Sequence, residues 1–212
     1  MAFQIPPRVG AASGLAAIVA WVSLYLVAVA LYPGYSIVDN YLSDLGHPSL
    51  APGYWAFNAA DILAGILFIP YGLAVGSVLR TRLGKVGGAF VVLTGMGLIL
   101  VGVFPEDSPY GLHFVASLAF FLLLTASAAA LAIPFHTSPA FGRLAGYLAG
   151  ATVAASVAFL ASGGSKLLEH VAVYAGLIWG AWTAVRLQTA VPAPGPISLA
   201  PSARPERGPP VP

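Results

Sequence analysis

Apolar runs of 18 or more residues recur along this 212-residue chain. Each is long enough to cross a ~30 Å hydrocarbon core at about 1.5 Å per residue. They are far longer than the ~10 residues of a barrel strand and do not alternate, so helix is the expected spanning element. Composition leaves no soluble alternative: 58% of residues are hydrophobic and only 8% are charged, too few to coat a soluble domain of this length. The chain contains no cysteine, which excludes disulfides, thiol catalysis and cysteine-ligated metals.

The runs predict an all-α bundle of six transmembrane helices in one domain, residues 1–188, with spans at about 10–32, 54–79, 86–104, 110–135, 144–160 and 166–188. Breakers separate them: Pro33-Gly34, Pro105 to Pro109, Pro139, and Ser162-Gly163-Gly164-Ser165. Ala28-Val29-Ala30 resembles a signal-peptidase site, but the preceding apolar run is too long for a signal peptide. Residues 189–212 are Pro-rich with little apolar content and read as a disordered cytoplasmic tail.

Charge assigns the sides. With six spans, Arg8, Arg80, Arg82, Lys85, Arg143, Arg186, Arg204 and Arg207 fall on the side of the termini, and Lys166 alone falls opposite. Basic residues flanking spans mark the cytoplasm, so both termini are expected inside, with the protein in the cell membrane. The acids do the reverse. Asp39, Asp44, Asp61, Glu106, Asp107 and Glu169 lie on or near the outer side, with His47, His113 and His170. Much of this sits in one stretch, Tyr32 to Asp61, where Tyr32, Tyr35, Tyr41, Tyr54 and Trp55 also suit an interfacial aromatic belt. Ser36 or Asp39 is placed to cap a short interfacial helix running to Gly46.

Small residues suggest helix contacts. Gly142, Gly146, Gly150 and Ala154 recur at four-residue spacing and predict a packing face on the fifth span. The pairs Gly84/Gly88 and Gly72/Gly76 read as composition only.

The candidate chemistry is outward. Asp61 is expected about two turns into the second span and shares a face with Asn58. A carboxyl facing lipid there would cost a few kcal/mol, so Asp61 should face the bundle or a wet cavity; structural pairing and function explain it equally well. Glu106 and Asp107 precede the fourth span, where acids suit the positive end of a helix. Glu169, three residues after Lys166, suggests a local ion pair. Each of the three outward hairpins thus supplies acids and a histidine, and the ligand-binding candidates are Ser43, Asp44, His47, Asn58, Asp61, Glu106, Asp107, His113, Glu169 and His170. Three histidines with a carboxylate would make an open zinc site, with His47, His113 and His170 as ligands. No two histidines have the spacing that holds a pair on one helix face, so no cofactor is expected, with zinc as the alternative.

With these residues in view, the chain resembles an archaeal and bacterial membrane family known as domain of unknown function 998. The likeness rests on Leu42-Ser43-Asp44-Leu45-Gly46, Asn58, Phe104-Pro105 with its following acid, His113, and Leu168-Glu169, and it covers about residues 10–188. The resemblance implies a fold and the position of a site, not a reaction. Family members often carry arginine where this chain has His170, which counts against a three-histidine metal site as a family property and favours Glu169 as partner of a basic group. The layout is also loosely similar to eukaryotic six-span proteins of lipid remodelling, whose first outer loop carries a similar Ser-Asp element.

The expected function is binding or processing of a lipid headgroup, or of a small polar or cationic ligand, at the outer leaflet. Whether the protein is an enzyme stays open. The alternatives are a structural or accessory membrane subunit and a zinc-dependent intramembrane hydrolase. A coupled transporter fits poorly, since the inner halves of the spans show no acid or base and no repeated mid-depth break. Membrane lipids are the expected partners, nucleic acid is not, and a homo-oligomer or a membrane-complex partner stays open.

Overall fold

The computed structural model describes residues 5–190. Six long helices account for most of them: α1 (Pro7–Ala30), α2 (Tyr54–Val78), α3 (Arg82–Val103), α4 (Leu112–Thr137), α5 (Arg143–Ala161) and α6 (Lys166–Ala190). No strand occurs among the described residues. Counting the 3-10 turn Pro109–Gly111 with α4, five helices are long and apolar enough to cross a membrane; α6 matches them in length but is less apolar. The chain is therefore a multi-pass membrane protein. Arg204, Arg207 and the rest of the expected tail beyond Ala190 lie outside the described residues, whereas residues 189 and 190 still belong to α6.

The ends of the helices follow from local chemistry. α1 begins with Pro7 at its first position, where a missing N–H costs nothing. α3 starts earlier than its apolar run because Thr81 Oγ1 accepts from Gly84 N at 3.0 Å, so Arg82 and Lys85 sit on the helix and not in a loop. α4 runs on to Thr137, which puts His136 in its last turn. The tight α5–α6 turn needs Gly163 and Gly164, whose φ values of 69° and 108° only glycine adopts freely.

Each helix packs mainly on its neighbours in the chain, and α6 returns to α1, closing a ring. The α2–α3 contact is backbone against backbone. A Cβ at Gly65 would lie 2.5 Å from the Gly95 carbonyl, one at Gly72 2.9 Å from that of Gly88, and one at Gly102 2.5 Å from that of Asn58. Residues 58, 65 and 72 thus meet 102, 95 and 88, an antiparallel seam stepping by sevens. This overturns the reading of the α2 and α3 glycines as composition.

The ridge expected on α5 is also corrected. Gly150 has open space around it and Ala154 is exposed; the buried face is Ala145, Gly146, Ala149, Thr152 and Ser156. A strict four-residue step drifts off a 3.6-residue helix, and only Gly146 stays in the contact, against Ala132 and His136 of α4.

Two apolar clusters fill the ring. One, at the end carrying Arg80, Arg143 and Arg186 and labelled inner after the side expected from those charges, includes Tyr71, Leu131, Phe135, Phe141, Trp179 and Leu187. The outer one joins Trp21, Phe57, Ala60 and Leu98 to Leu42 and Leu45 of the loop between α1 and α2. That loop contains a single 3-10 turn, Ser43–Gly46, and buries Leu45 and Ala51 completely, so it caps the outer end of the bundle.

Candidate functional site

The capping loop is held by its own polar residues. Ser36 Oγ accepts the backbone N–H groups of Val38 and Asp39, closing a turn where a short helix was expected. Asp44 Oδ2 accepts from Asn40 Nδ2 at 3.1 Å and from Tyr41 N at 3.0 Å. Asn58 Nδ2 donates to the Gly46 carbonyl at 3.1 Å, fastening the loop to α2. Lys166 does not pair with Glu169. Its Nζ donates to the Asp39 carbonyl at 2.6 Å and lies 5.5 Å from the Tyr41 ring centre. The reason is geometric: Glu169 turns into the ring, where Oε2 accepts from Leu42 N at 2.8 Å.

Asp61 is 2% exposed and Glu169 6% exposed, and they come from different hairpins. Asp61 Oδ1 accepts from Trp21 Nε1 at 2.8 Å. Neither acid has an ion-pair partner among the described residues; an indole N–H and loop amides hold them instead. Both line one cavity, together with Ser43. A buried carboxyl without a cationic partner is either neutral or placed to meet a cation brought by something else.

Asp44 and Glu106 meet beside each other, joining the α1–α2 loop to the α3–α4 loop by a side-chain hydrogen bond. Two carboxyls can bond only by sharing a proton. Burial first, then the neighbouring Asp44, pushes Glu106 up to about 7 from its ordinary 4.5. Glu106 Oε2 is buried with no hydrogen-bond partner among the described residues. Asp107 is exposed, and its charge adds a smaller push in the same direction on Glu106.

The three outer histidines do not converge. His113 Nδ1 donates to the Phe104 carbonyl at 2.7 Å, and its Nε2 lies 3.4 Å from Ser117 Oγ, which reaches the cavity wall. His170 Nδ1 donates to the Lys166 carbonyl at 2.8 Å, so Nε2 accepts from the Tyr35 hydroxyl at 2.5 Å. Burial, with the nearby tyrosines Tyr25 and Tyr174 and the acids Glu169 and Asp44, holds the Tyr35 hydroxyl above its ordinary range. It therefore remains a donor. His47 Nδ1 accepts from Ser49 N within its own loop. Among the described residues no three His, Asp or Glu side chains are grouped to hold one metal ion.

The cavity runs along the middle of the ring, with about 900 Å³ of empty space including its open mouth. Its walls come from α1, α2, α3, α4, α6 and the capping loop; α5 does not reach it. Of the residues singled out in the sequence, Ser43, Asp61 and Glu169 face it, whereas Asp44, Glu106, His113, Asn58, His47, Asp107 and His170 are not among its wall residues and serve the loops or lie outside. The sequence reading missed Trp21 and Trp179. Trp21 had a signal: a buried indole N–H needs an acceptor, and Asp61 lies at a similar distance from the outer end of its own helix.

Compared with known families, the chain matches the sequence model described as "Protein of unknown function (DUF998)" over residues 15–186 and belongs to that family. No curated protein and no solved structure matches it.

Proposed function

We propose that this DUF998 protein spans the cell membrane six times with both termini in the cytoplasm, and that its outward acids bind the head of a lipid or of a small cationic ligand at the outer leaflet. Support for the topology is the gathering of Arg80, Lys85, Arg143 and Arg186 at one end of the ring and of Asp44, Glu106 and Glu169 at the other. One observation carries the binding reading. Asp61 and Glu169, from separate hairpins, are buried against a shared cavity and have no ion-pair partner among the described residues. A cationic or hydrogen-bond-donating head supplies what these carboxyls lack, in surroundings of low dielectric where the attraction is strong. Ser43 adds a hydroxyl to the same cavity wall, and Asp44, Glu106 and His113 lie at the same end of the ring.

A second reading has its own support. Glu169 holds the Leu42 amide and Asn58 the Gly46 carbonyl, so part of the polar set is a clasp for the loop, as in a purely structural subunit. One experiment separates the two. The protein in polymer-bounded native membrane discs is heated with and without tetramethylammonium, a bare cationic head. Protection that disappears in Asp61→Asn and Glu169→Gln, while melting without the probe stays within a few degrees, supports the site. Variants that simply melt early, with protection intact, support the clasp and end the binding proposal.

A further inference from the structure

The cavity continues well below the acids. Along α2 it passes from Asp61 to Tyr71, and along α6 from Glu169 to Gly180, in each case about 15 Å of helix axis. That is half of a ~30 Å hydrocarbon core, the depth of one leaflet. Its walls there are Phe68, Val91, Leu124, Val173 and Leu177.

The few polar groups in this shaft are already engaged. Thr94 Oγ1 donates to the Phe90 carbonyl and Ser127 Oγ to the Leu124 carbonyl, both at 2.8 Å. The Tyr71 hydroxyl bonds Thr183 Oγ1 at 2.5 Å. One donor is left: Trp179 Nε1, at the foot of the shaft, is buried without a hydrogen-bond partner among the described residues. An ordered water needs two to four polar partners, so a single donor does not hold one. A head site alone would not require a dry shaft one leaflet deep beneath it. Gly176 and Gly180 keep the α6 wall low: a Cβ at Gly176 would already touch Leu124 of α4 at 3.4 Å, and one at Gly180 would touch Ile18 of α1 at 3.4 Å, so a larger side chain at Gly176 closes the shaft.

Resting on the head-binding reading, we infer that the ligand is an amphiphile with one hydrocarbon chain lying in this shaft, its head at Asp61 and Glu169 and its end near Trp179. The site thus takes a long-chain lipid or long-chain amine and holds a free polar cation only weakly.

The tryptophans provide the ruler. Trp21 is bonded to Asp61 and Trp179 stands at the foot, while Trp55 and Trp182 are 55% and 38% exposed on the outside of the ring and can be changed to phenylalanine. In that double variant, in native membrane discs, alkyltrimethylammonium probes are added with bromine at the chain end or beside the head, and tryptophan quenching is followed. A hexadecyl chain brominated at its end should quench Trp179, and a head-brominated chain Trp21. Excess unbrominated probe should reverse both. Gly176→Leu, about 10 Å below Glu169, should block the shaft and weaken the hexadecyl probe at least tenfold relative to the hexyl probe.

Trp179 unquenched, with affinity for the chains no better than for tetramethylammonium, would overturn the chain inference and leave the head site standing. Quenching of Trp179 that survives Asp61→Asn and Glu169→Gln unweakened would keep the chain and remove the head. No binding of any probe removes both. If Gly176→Leu does not fold, the depth-resolved quenching in the parent double variant decides alone.

Discussion

The two ends of the cavity are built on opposite plans. At the outer end, acids are held by hydrogen bonds and by no cation among the described residues: Asp61 by Trp21, Glu169 by the capping loop, and Asp44 by Asn40, the Tyr41 amide and Glu106. At the inner end, Phe135 and Phe141 pack 4.4 Å apart between ring centres, Leu131 and Leu187 are wholly buried, and the Tyr71–Thr183 bond is closed within the protein. An inner end whose side chains are close-packed gives stability. In the proposed function, an end whose acids lack counter-charge provides binding, and its stability then depends on what is bound. Changes at the inner end away from the cavity wall should therefore alter melting without altering affinity for a cationic head, and changes at the outer acids should act chiefly on that affinity.

The comparison breaks most visibly at Phe135, which is completely buried in the inner cluster. Phe135→Ala should cost about 3–5 kcal/mol through the void it leaves, with the affinity for tetramethylammonium kept in whatever protein stays folded. Thermal melting and probe titration on the same sample check both halves. Next comes Asp61→Leu, which leaves the Trp21 N–H buried without its acceptor at a cost of about 1–3 kcal/mol, and which should also abolish binding. Asp61→Asn keeps an oxygen for Trp21 and should lose binding with little change in melting.

Thr183→Val should cost about 1 kcal/mol by stranding the Tyr71 hydroxyl, with binding unchanged. The smallest effect is the pH dependence of the Asp44–Glu106 pair. Glu106 stands at about 7 in the fold against an ordinary 4.5, so the folded state holds its proton more tightly than the unfolded chain does. Its contribution is complete below about 4.5 and is lost as pH rises through about 7. Melting temperature should fall across that window, and Glu106→Gln should flatten the fall. A slope identical in the variant would show that Asp44 and Glu106 do not share a proton.

What could be read from the sequence was mostly what a helix dictates locally. Long apolar runs gave the six helices to within a few residues, and the cost of an acid in lipid gave the burial of Asp61. Glu169 was singled out for the wrong reason, since an ion pair with Lys166 three residues away is a local guess and the true partner, Leu42, comes from another loop. The α5 ridge failed because a spacing of four is not the helical period, whereas the real seam was present in the spacing by sevens of Gly88, Gly95 and Gly102 against Asn58, Gly65 and Gly72. The shaft has no local signature at all. Five helices and a loop make it jointly, and Trp179 looks like any core indole until its neighbours are placed.

The ring closes in the order of the chain, with α6 meeting both α5 and α1. Contacts between successive helices can form as each is made, but five helices alone leave a trough with one side open to the bilayer. Only the arrival of the last helix turns that trough into a chamber, and the same helix brings Glu169 to latch the loop above it. Assembly and the creation of an enclosed interior are thus a single event, and a chain halted after α5 would have most of its packing and nowhere to keep a guest.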